Sequence, residues 1–287
     1  MGPLVDLLIP TVLVLLMFVV GMGLDRSELV LLRSQKRLVI LATLAQVITL
    51  PLIAAGLVVA LDPDPHIGIG LVLLAACPGG ALSNYYCHLS RANVALSVAM
   101  TSAASLTSLV TLPLAASIGL ALIAGSVYQV TVPARQILLQ LSLFVLLPLA
   151  LGMFFRDRRP ERSDRTLPVL NWLGLFALLA LIVLILVDQA PSLGGDLPSV
   201  IALTVSFTLL SSALGAGLGR LLGLRHGEIT TLALEFSVRN LAIMALVAVT
   251  IFDRSEYFLL GALFFVIQTP LVLLGTLILR RRPALDD

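Results

Sequence analysis

Glu235 stands in the stretch EFSVRN (235–240), inside an otherwise apolar segment that is long enough to cross a bilayer. A carboxylate is costly at membrane depth, so an acidic residue there is a candidate functional group. An earlier apolar segment is interrupted by CPGGALSN (77–84), where a proline removes a backbone donor and two glycines allow the helix to unwind. Unpaired backbone groups cannot face lipid, so both interruptions predict a cavity enclosed by protein.

Neutral oxygens accompany this carboxylate. Ser83 and Asn84 follow the first interruption, and Ser97 and Thr101 lie four residues apart on one face of the next predicted helix. With Glu235 they would offer several hard oxygens and one negative charge. Calcium usually receives more carboxylates, and transition metals prefer His or Cys. The pattern favours a monovalent hard cation, sodium first, and leaves a proton on Glu235 as the alternative.

The composition excludes a soluble globular domain. Of 287 residues, 59% are hydrophobic and 12% charged, and the mean hydropathy is +1.08. These values predict an all-α polytopic membrane protein, a single transmembrane domain over 1–287 with about nine transmembrane helices. The predicted spans are 3–24, 38–60, 67–90, 93–123, 136–155, 167–189, 198–222, 228–252 and 256–279.

The two interrupted spans, 67–90 and 228–252, are related by position. Each is interrupted near its middle, and under the nine-span count they cross the membrane in opposite directions. This arrangement predicts an inverted-topology repeat, with a first repeat at 1–124 that lacks one helix and a second at 134–287. Paired interruptions at equal depth indicate the binding site of a secondary transporter.

Basic residues predict the orientation. Most of them fall in the loops 25–37 and 156–165 or at the C-terminal end, all on one side of the membrane under this count. Because Lys and Arg are enriched in cytoplasmic loops, we expect the N-terminus outside and the C-terminus in the cytoplasm.

Three stretches resemble one known family. The segment 77–108, which begins CPGGALSNYYCHLSRAN, is similar to the first signature of the bile acid:sodium symporter family. EFSVRNLAIMALV resembles its second signature, and MFVVGMGL in the first span is also family-like. The resemblance implies a core bundle and a panel of helices, with two broken helices that cross. It also implies sodium-coupled import of an organic anion, bile-acid-like or a small carboxylate, by alternating access in a bacterial inner membrane.

The same resemblance implies one or two bound sodium ions. The first site would use the side chains of Ser83, Asn84, Ser97, Thr101 and Glu235. The second would use Glu235, Gln46 in AQVITLP, and backbone carbonyls in the stretch that contains Phe236, Val238 and Arg239. Asn240 would lie next to the substrate cavity between the core bundle and the panel. Arg239 is a second candidate for substrate binding, for a reason of its own.

Arg239 departs from the family pattern, which usually has Gln at this position. Three alternatives stay open. The guanidinium could pair with Glu235 and hold the unwound segment, stand in for the second sodium ion, or meet the carboxylate of the substrate in a bidentate contact. A second departure, Ala81 in place of a common Thr, removes one polar contact from the cavity.

Other function classes remain as alternatives. They are proton-coupled or sodium-independent transport of organic anions, efflux of an oxyanion such as arsenite through Cys77, and a membrane sensor that does not transport. An intramembrane enzyme is not expected, because Glu235 has no second intramembrane acid and RHGE (225–228) is interpreted as a loop without metal-ligand spacing. We expect the lipid bilayer, sodium and a small organic anion as partners, with no nucleic acid and no obligate protein partner.

Overall fold

The chain folds almost entirely into helices. A computed structural model describes residues 3–23, 35–123, 134–189 and 197–280, and over these ranges it has no extended strand. PSLGGD (191–196), whose Pro and Gly residues predict a turn, and part of the basic residues behind the predicted orientation lie outside the described residues. The orientation therefore stays a prediction.

Twelve α-helices lie within the described ranges. They are α1 (Pro3–Gly23), α2 (Lys36–Leu61), α3 (Pro65–Ala76), α4 (Leu82–Leu89), α5 (Val94–Ile123), α6 (Ala134–Leu141), α7 (Leu147–Arg158), α8 (Pro160–Gln189), α9 (Leu197–Leu221), α10 (His226–Ser237), α11 (Leu241–Ala245) and α12 (Ser255–Arg280). A π-helical turn, Ser142–Leu146, joins α6 to α7, and a second, Leu246–Ile251, extends α11.

Helix length and composition match a membrane environment. Six helical segments among the described residues are long and apolar enough to cross a bilayer, and three shorter apolar helices accompany them. Large apolar side chains such as Trp172, Phe176 and Val187 on α8 are more than half exposed at the surface of the chain, where lipid would cover them. The predicted fold class, an all-α polytopic membrane protein, is confirmed, and the number of crossings stays a prediction.

Short polar turns connect consecutive helices. DPDP (62–65) is a sequence that predicts a turn. Asp62 ends α2 there with a left-handed backbone (φ 42°), and Pro65 occupies the first turn of α3. RHGE (225–228), interpreted above as a loop, belongs largely to the start of α10. The carboxylate of Glu228 accepts from the backbone N–H of Arg225 at 3.1 Å, which caps the helix.

The helices pack in two groups. Helix α1 packs mainly on α7 and α8, while α2, α3, α5, α9, α10 and α12 pack on one another. At the contact of α1 with α7 the backbones touch, because a Cβ on Gly21 would lie 2.2 Å from the carbonyl oxygen of Leu149. Helix α8 also contacts α12, so the two groups touch. The core bundle and panel implied by the resemblance stay a prediction.

Both predicted breaks are present, but each is shorter than predicted. The first is non-helical only over 77–81 instead of 77–84, because the backbone N–H of Ser83 already bonds to the carbonyl of Gly80 at 2.9 Å and starts α4. The second covers 238–240 instead of 235–240. There the N–H of Val238 bonds to the carbonyl of Leu234 at 3.0 Å, so Glu235 remains in the last helical turn of α10.

Candidate functional site

The two breaks lie against each other. The backbone N–H of Gly80 donates to the carbonyl of Val238 at 3.3 Å, and that of Asn240 donates to the carbonyl of Pro78 at 2.9 Å. These bonds form an isolated antiparallel bridge centred on Gly79 and Arg239. Backbone groups that lose their helical partners in one break therefore form hydrogen bonds with the other break.

The two glycines of the first break lie close to the second, and Gly80 meets its backbone. A Cβ on Gly80 would lie 2.6 Å from the carbonyl oxygen of Arg239, and one on Gly79 would lie 2.8 Å from Oε2 of Glu235. Both distances are shorter than real Cβ contacts. The CPGG sequence thus lets α3 and α4 approach the end of α10 at backbone distance.

Glu235 is completely buried beside this crossing. Its Oε1 accepts hydrogen bonds from Ser83 Oγ, from Ser97 Oγ at 2.5 Å and from Thr101 Oγ1 at 3.1 Å. Asn84 completes the group, because its Oδ1 lies 2.8 Å from Ser97 Oγ. The structure therefore brings together all five side chains that the resemblance assigns to a first cation site.

In this cluster, the short oxygen–oxygen contacts outnumber the hydroxyl protons that could form hydrogen bonds. Ser83 Oγ contacts both the carboxylate of Glu235 and the carbonyl oxygen of Gly80 at 2.9 Å. Ser97 Oγ likewise contacts both Glu235 and Asn84. A hydroxyl carries one proton, so each of these serines can donate to only one of its two acceptors. An oxygen-rich, proton-poor group around one carboxylate is suited to hold a small cation or an extra proton.

Arg239 is buried on the other side of the crossing, with 4% of its surface exposed. Nη1 donates to the carbonyl oxygen of Cys77 at 3.2 Å, and Nη2 donates to Gln46 Oε1 at 3.2 Å and to the backbone carbonyl of Glu235. Among the described residues, no ion pair joins Arg239 to the carboxylate of Glu235. The guanidinium thus contacts the backbone of Glu235 and leaves its carboxylate to the hydroxyl cluster.

The other residues assigned to a second sodium site have different surroundings. Gln46 and the Glu235 carbonyl already accept from Arg239, and the carbonyl of Val238 accepts from Gly80 in the bridge. Phe236 is completely buried. Arg239 therefore holds Gln46 Oε1, one of the acceptors that the resemblance assigns to a second sodium ion.

Asn240, predicted to contact substrate, caps a helix in this structure. Its Oδ1 accepts from the backbone N–H of Ile243 at 3.1 Å, at the first turn of α11. Such an N-cap stabilises the short helix that restarts after the break. The side-chain oxygen of Asn240 is therefore engaged within its own segment.

A small cavity adjoins the guanidinium of Arg239. It is lined by Thr43, Gln46, Val47, Ala75, Ala76, Cys77, Pro78, Ala104, Thr111 and Arg239. Thr43 was missed in the sequence, although its position three residues before Gln46 places both side chains on one face of α2. Two polar residues with helical spacing inside an apolar span are the pattern from which Thr43 could have been predicted.

The fold and the site define a polytopic helical membrane protein whose two interrupted helices meet at a buried carboxylate. The sodium bile acid symporter family matches residues 10–196, which include the first break but not the second. The chain belongs to this family.

Named relatives agree with this assignment. Human sodium/bile acid cotransporter 4 is 31% identical over 261 residues, which is 86% of this chain and 59% of the relative. An uncharacterized sodium-dependent transporter, YocS of Bacillus subtilis, is 30% identical over 172 residues, 59% of this chain and 52% of YocS. The probable chloroplastic sodium/metabolite cotransporter BASS1 of Arabidopsis thaliana is 34% identical over 146 residues, 50% of this chain and 35% of BASS1. The chain thus matches between about a third and three-fifths of the length of these relatives.

Proposed function

We propose that this protein is a sodium-coupled symporter that imports an organic anion, bile-acid-like or a small carboxylate, by alternating access. The observation that carries the proposal is the buried carboxylate of Glu235, surrounded by hydroxyl oxygens where the two breaks cross. Such a pair of broken helices is the usual place of the coupling-ion site in transporters with inverted repeats.

The chemistry of the cluster supports sodium as the ion. Its members are one carboxylate, three hydroxyls and an amide oxygen, all hard ligands. One negative charge matches a monovalent cation, and burial excludes the water that would otherwise solvate the carboxylate. The names of the relatives, each of which includes the word sodium, agree with this choice.

Arg239 supports coupling to a single sodium ion. Its guanidinium bonds to carbonyl oxygens at the ends of α3 and α10 and to Gln46. Helix C-terminal ends carry partial negative charge that favours a cation. A permanently charged side chain in this position would replace the positive charge of the second sodium ion. This is the second of the three alternatives for Arg239.

The division of the chain supports alternating access. The hydroxyls come from α4 and α5, in the proposed first repeat, and Glu235 comes from α10 in the second. An ion bound between them would hold the two broken helices together as one unit, against which the group formed by α1, α7 and α8 can move. We place the protein in a bacterial inner membrane with its C-terminus in the cytoplasm, as the basic loops predict.

Sodium binding to the purified protein tests the proposal. Thermal unfolding in detergent is followed while sodium replaces potassium at constant ionic strength, for the wild type, Glu235→Gln and Glu235→Ala. A ligand that binds only the folded state stabilises it by about 2.7 kcal/mol at a hundred times its Kd. We expect a sodium-specific rise in the unfolding temperature that both variants lose. Glu161→Gln, which changes an exposed carboxylate on α8, is the matched control.

Two outcomes would contradict the proposal. An equal response to sodium and potassium would remove the selective site. A response to pH in place of sodium would indicate that Glu235 takes a proton, and coupling would then be to protons. If sodium binds as expected, sodium-driven uptake of organic acids into proteoliposomes identifies the substrate.

A further inference from the structure

Three buried side chains with unpaired polar atoms line one cavity. Arg239 Nε, Gln46 Nε2 and Thr43 Oγ1 have no hydrogen-bond partner among the described residues. Each side chain is more than nine-tenths buried, with 4%, 4% and 6% of its surface exposed. Buried donors without partners are costly, so a cluster of three indicates a ligand that accepts hydrogen bonds.

The orientation of Gln46 is set by its neighbour. Its Oε1 accepts from Arg239 Nη2 at 3.2 Å, which leaves the amide NH₂ as the unpaired end. The unpaired end of this side chain is therefore a donor. Thr43, one turn earlier on α2, adds a hydroxyl that can donate to the same ligand.

The charge around the cavity favours an anion. No Asp or Glu is among its lining residues, and the acceptors that hold the guanidinium are neutral carbonyl and amide oxygens. The positive charge of Arg239 is therefore not compensated by a carboxylate in direct contact. A water molecule could occupy the space, but it would supply no charge.

We propose that Thr43, Gln46 and Arg239 form the subsite for the anionic end group of the transported substrate, a carboxylate or a group of similar shape. This inference rests on the proposed function and extends it: the charge of Arg239, which replaces a second sodium ion there, also selects the anion, so the second and third alternatives for this residue hold together. The cavity is partly open and has room for about one water molecule. It thus accepts one oxygen of the end group, while the rest of the substrate lies outside it.

The subsite also links the anion to the cation. Arg239 bonds to the backbone carbonyl of Glu235, one helical turn away, and the carboxylate of Glu235 holds the hydroxyl cluster. An ion bound by that cluster fixes the end of α10 and with it the guanidinium. Sodium would therefore organise the anion subsite before the substrate arrives.

Formate, the smallest carboxylate, is the probe for this subsite, and formamide is its neutral counterpart. Saturation-transfer NMR measures binding of each to the purified protein at a fixed sodium concentration. Thr43→Val removes one hydroxyl with little change in shape, and Gln46→Glu keeps an oxygen for Arg239 but replaces the donors by a negative charge. Thr49→Val on the same helix is the matched control, because its hydroxyl donates to the carbonyl of Ala45 at 2.6 Å.

We expect the wild type and Thr49→Val to bind formate in preference to formamide. Loss of a hydrogen bond to a charged group should weaken formate binding about tenfold or more in Thr43→Val. Gln46→Glu should abolish formate binding. The sodium-dependent thermal shift of each variant reports that it is folded.

Equal binding of formate and formamide to the wild type would mean that the cavity holds only water, and it would overturn the inference. Equal formate affinity in Thr43→Val and Thr49→Val would overturn it as well, even if Gln46→Glu does not fold. Both results can occur with a normal sodium response, in which case the proposed cation coupling stands. Absence of that response in the wild type, with formate still bound selectively, would refute the coupling and leave the subsite.

Discussion

Replacing Gly80 by alanine tests whether the contact between the two breaks is as close as the structure shows. The added Cβ would lie 2.6 Å from the carbonyl oxygen of Arg239, 3.0 Å from its carbonyl carbon and 3.3 Å from the nitrogen of Asn240. All three atoms belong to the backbone, so no side-chain rotation can relieve the overlap. One break must move away from the other.

The size of the effect follows from these distances. To reach an ordinary contact of 3.4 Å the breaks must separate by about 0.8 Å along this direction. Such a shift would break the 3.3 Å bond from Gly80 to Val238 and weaken the bond from Asn240 to Pro78. Two backbone hydrogen bonds correspond to a loss of roughly 1–3 kcal/mol in the free energy of unfolding. Overpacking of a well-packed interior costs a similar amount.

Equilibrium unfolding in mixed detergent micelles measures this change, with sodium titrated in parallel. We expect Gly80→Ala to be less stable and to bind sodium more weakly, because the Gly80 carbonyl belongs to the oxygen cluster. Gly217→Ala is the control, since a Cβ there meets nothing within 4 Å in the helical interior of α9. It should be unchanged or slightly more stable. If Gly80→Ala and Gly217→Ala have the same stability and the same sodium affinity, the two breaks are not in close backbone contact.

Three further variants test single contacts. Ser97→Ala removes one donor to Glu235 and should weaken sodium binding about tenfold in the thermal-shift titration; an unchanged affinity would exclude Ser97 from the site. Arg239→Gln should open a place for a second ion, so the Hill coefficient for sodium in calorimetry should rise above that of the wild type, and an unchanged coefficient would argue against the guanidinium as a fixed cation. Cys77→Ser should keep full sodium-dependent transport; loss of transport would favour the alternative of thiol-dependent oxyanion efflux.

The class of fold and the residues around Glu235 could be predicted from sequence because their signals are local. Apolar spans, a proline with two glycines, and hydroxyls at helical spacing each indicate one structural feature. The same reasoning placed five oxygen-bearing side chains in one cluster, and the structure brings all five together.

The surroundings of Arg239 could not be predicted, because they depend on distances between segments far apart in the chain. Its partners come from α2, the first break and α10, and only the crossing decides which acceptor the guanidinium reaches. Nor could the exact ends of the breaks be predicted. They depend on single backbone bonds, such as that from Val238 to Leu234, that a helix can form or omit without a change in composition.

The bridge between Gly79 and Arg239 restricts how this protein can move. Since the two breaks share backbone hydrogen bonds, we expect α3, α4, α10 and α11 to move as one rigid body, because a hinge within the bridge would break those bonds. We therefore expect any large displacement at the boundary with the group formed by α1, α7 and α8. Spin labels on either side of the bridge should report one constant separation, whereas a pair spanning that boundary should report two.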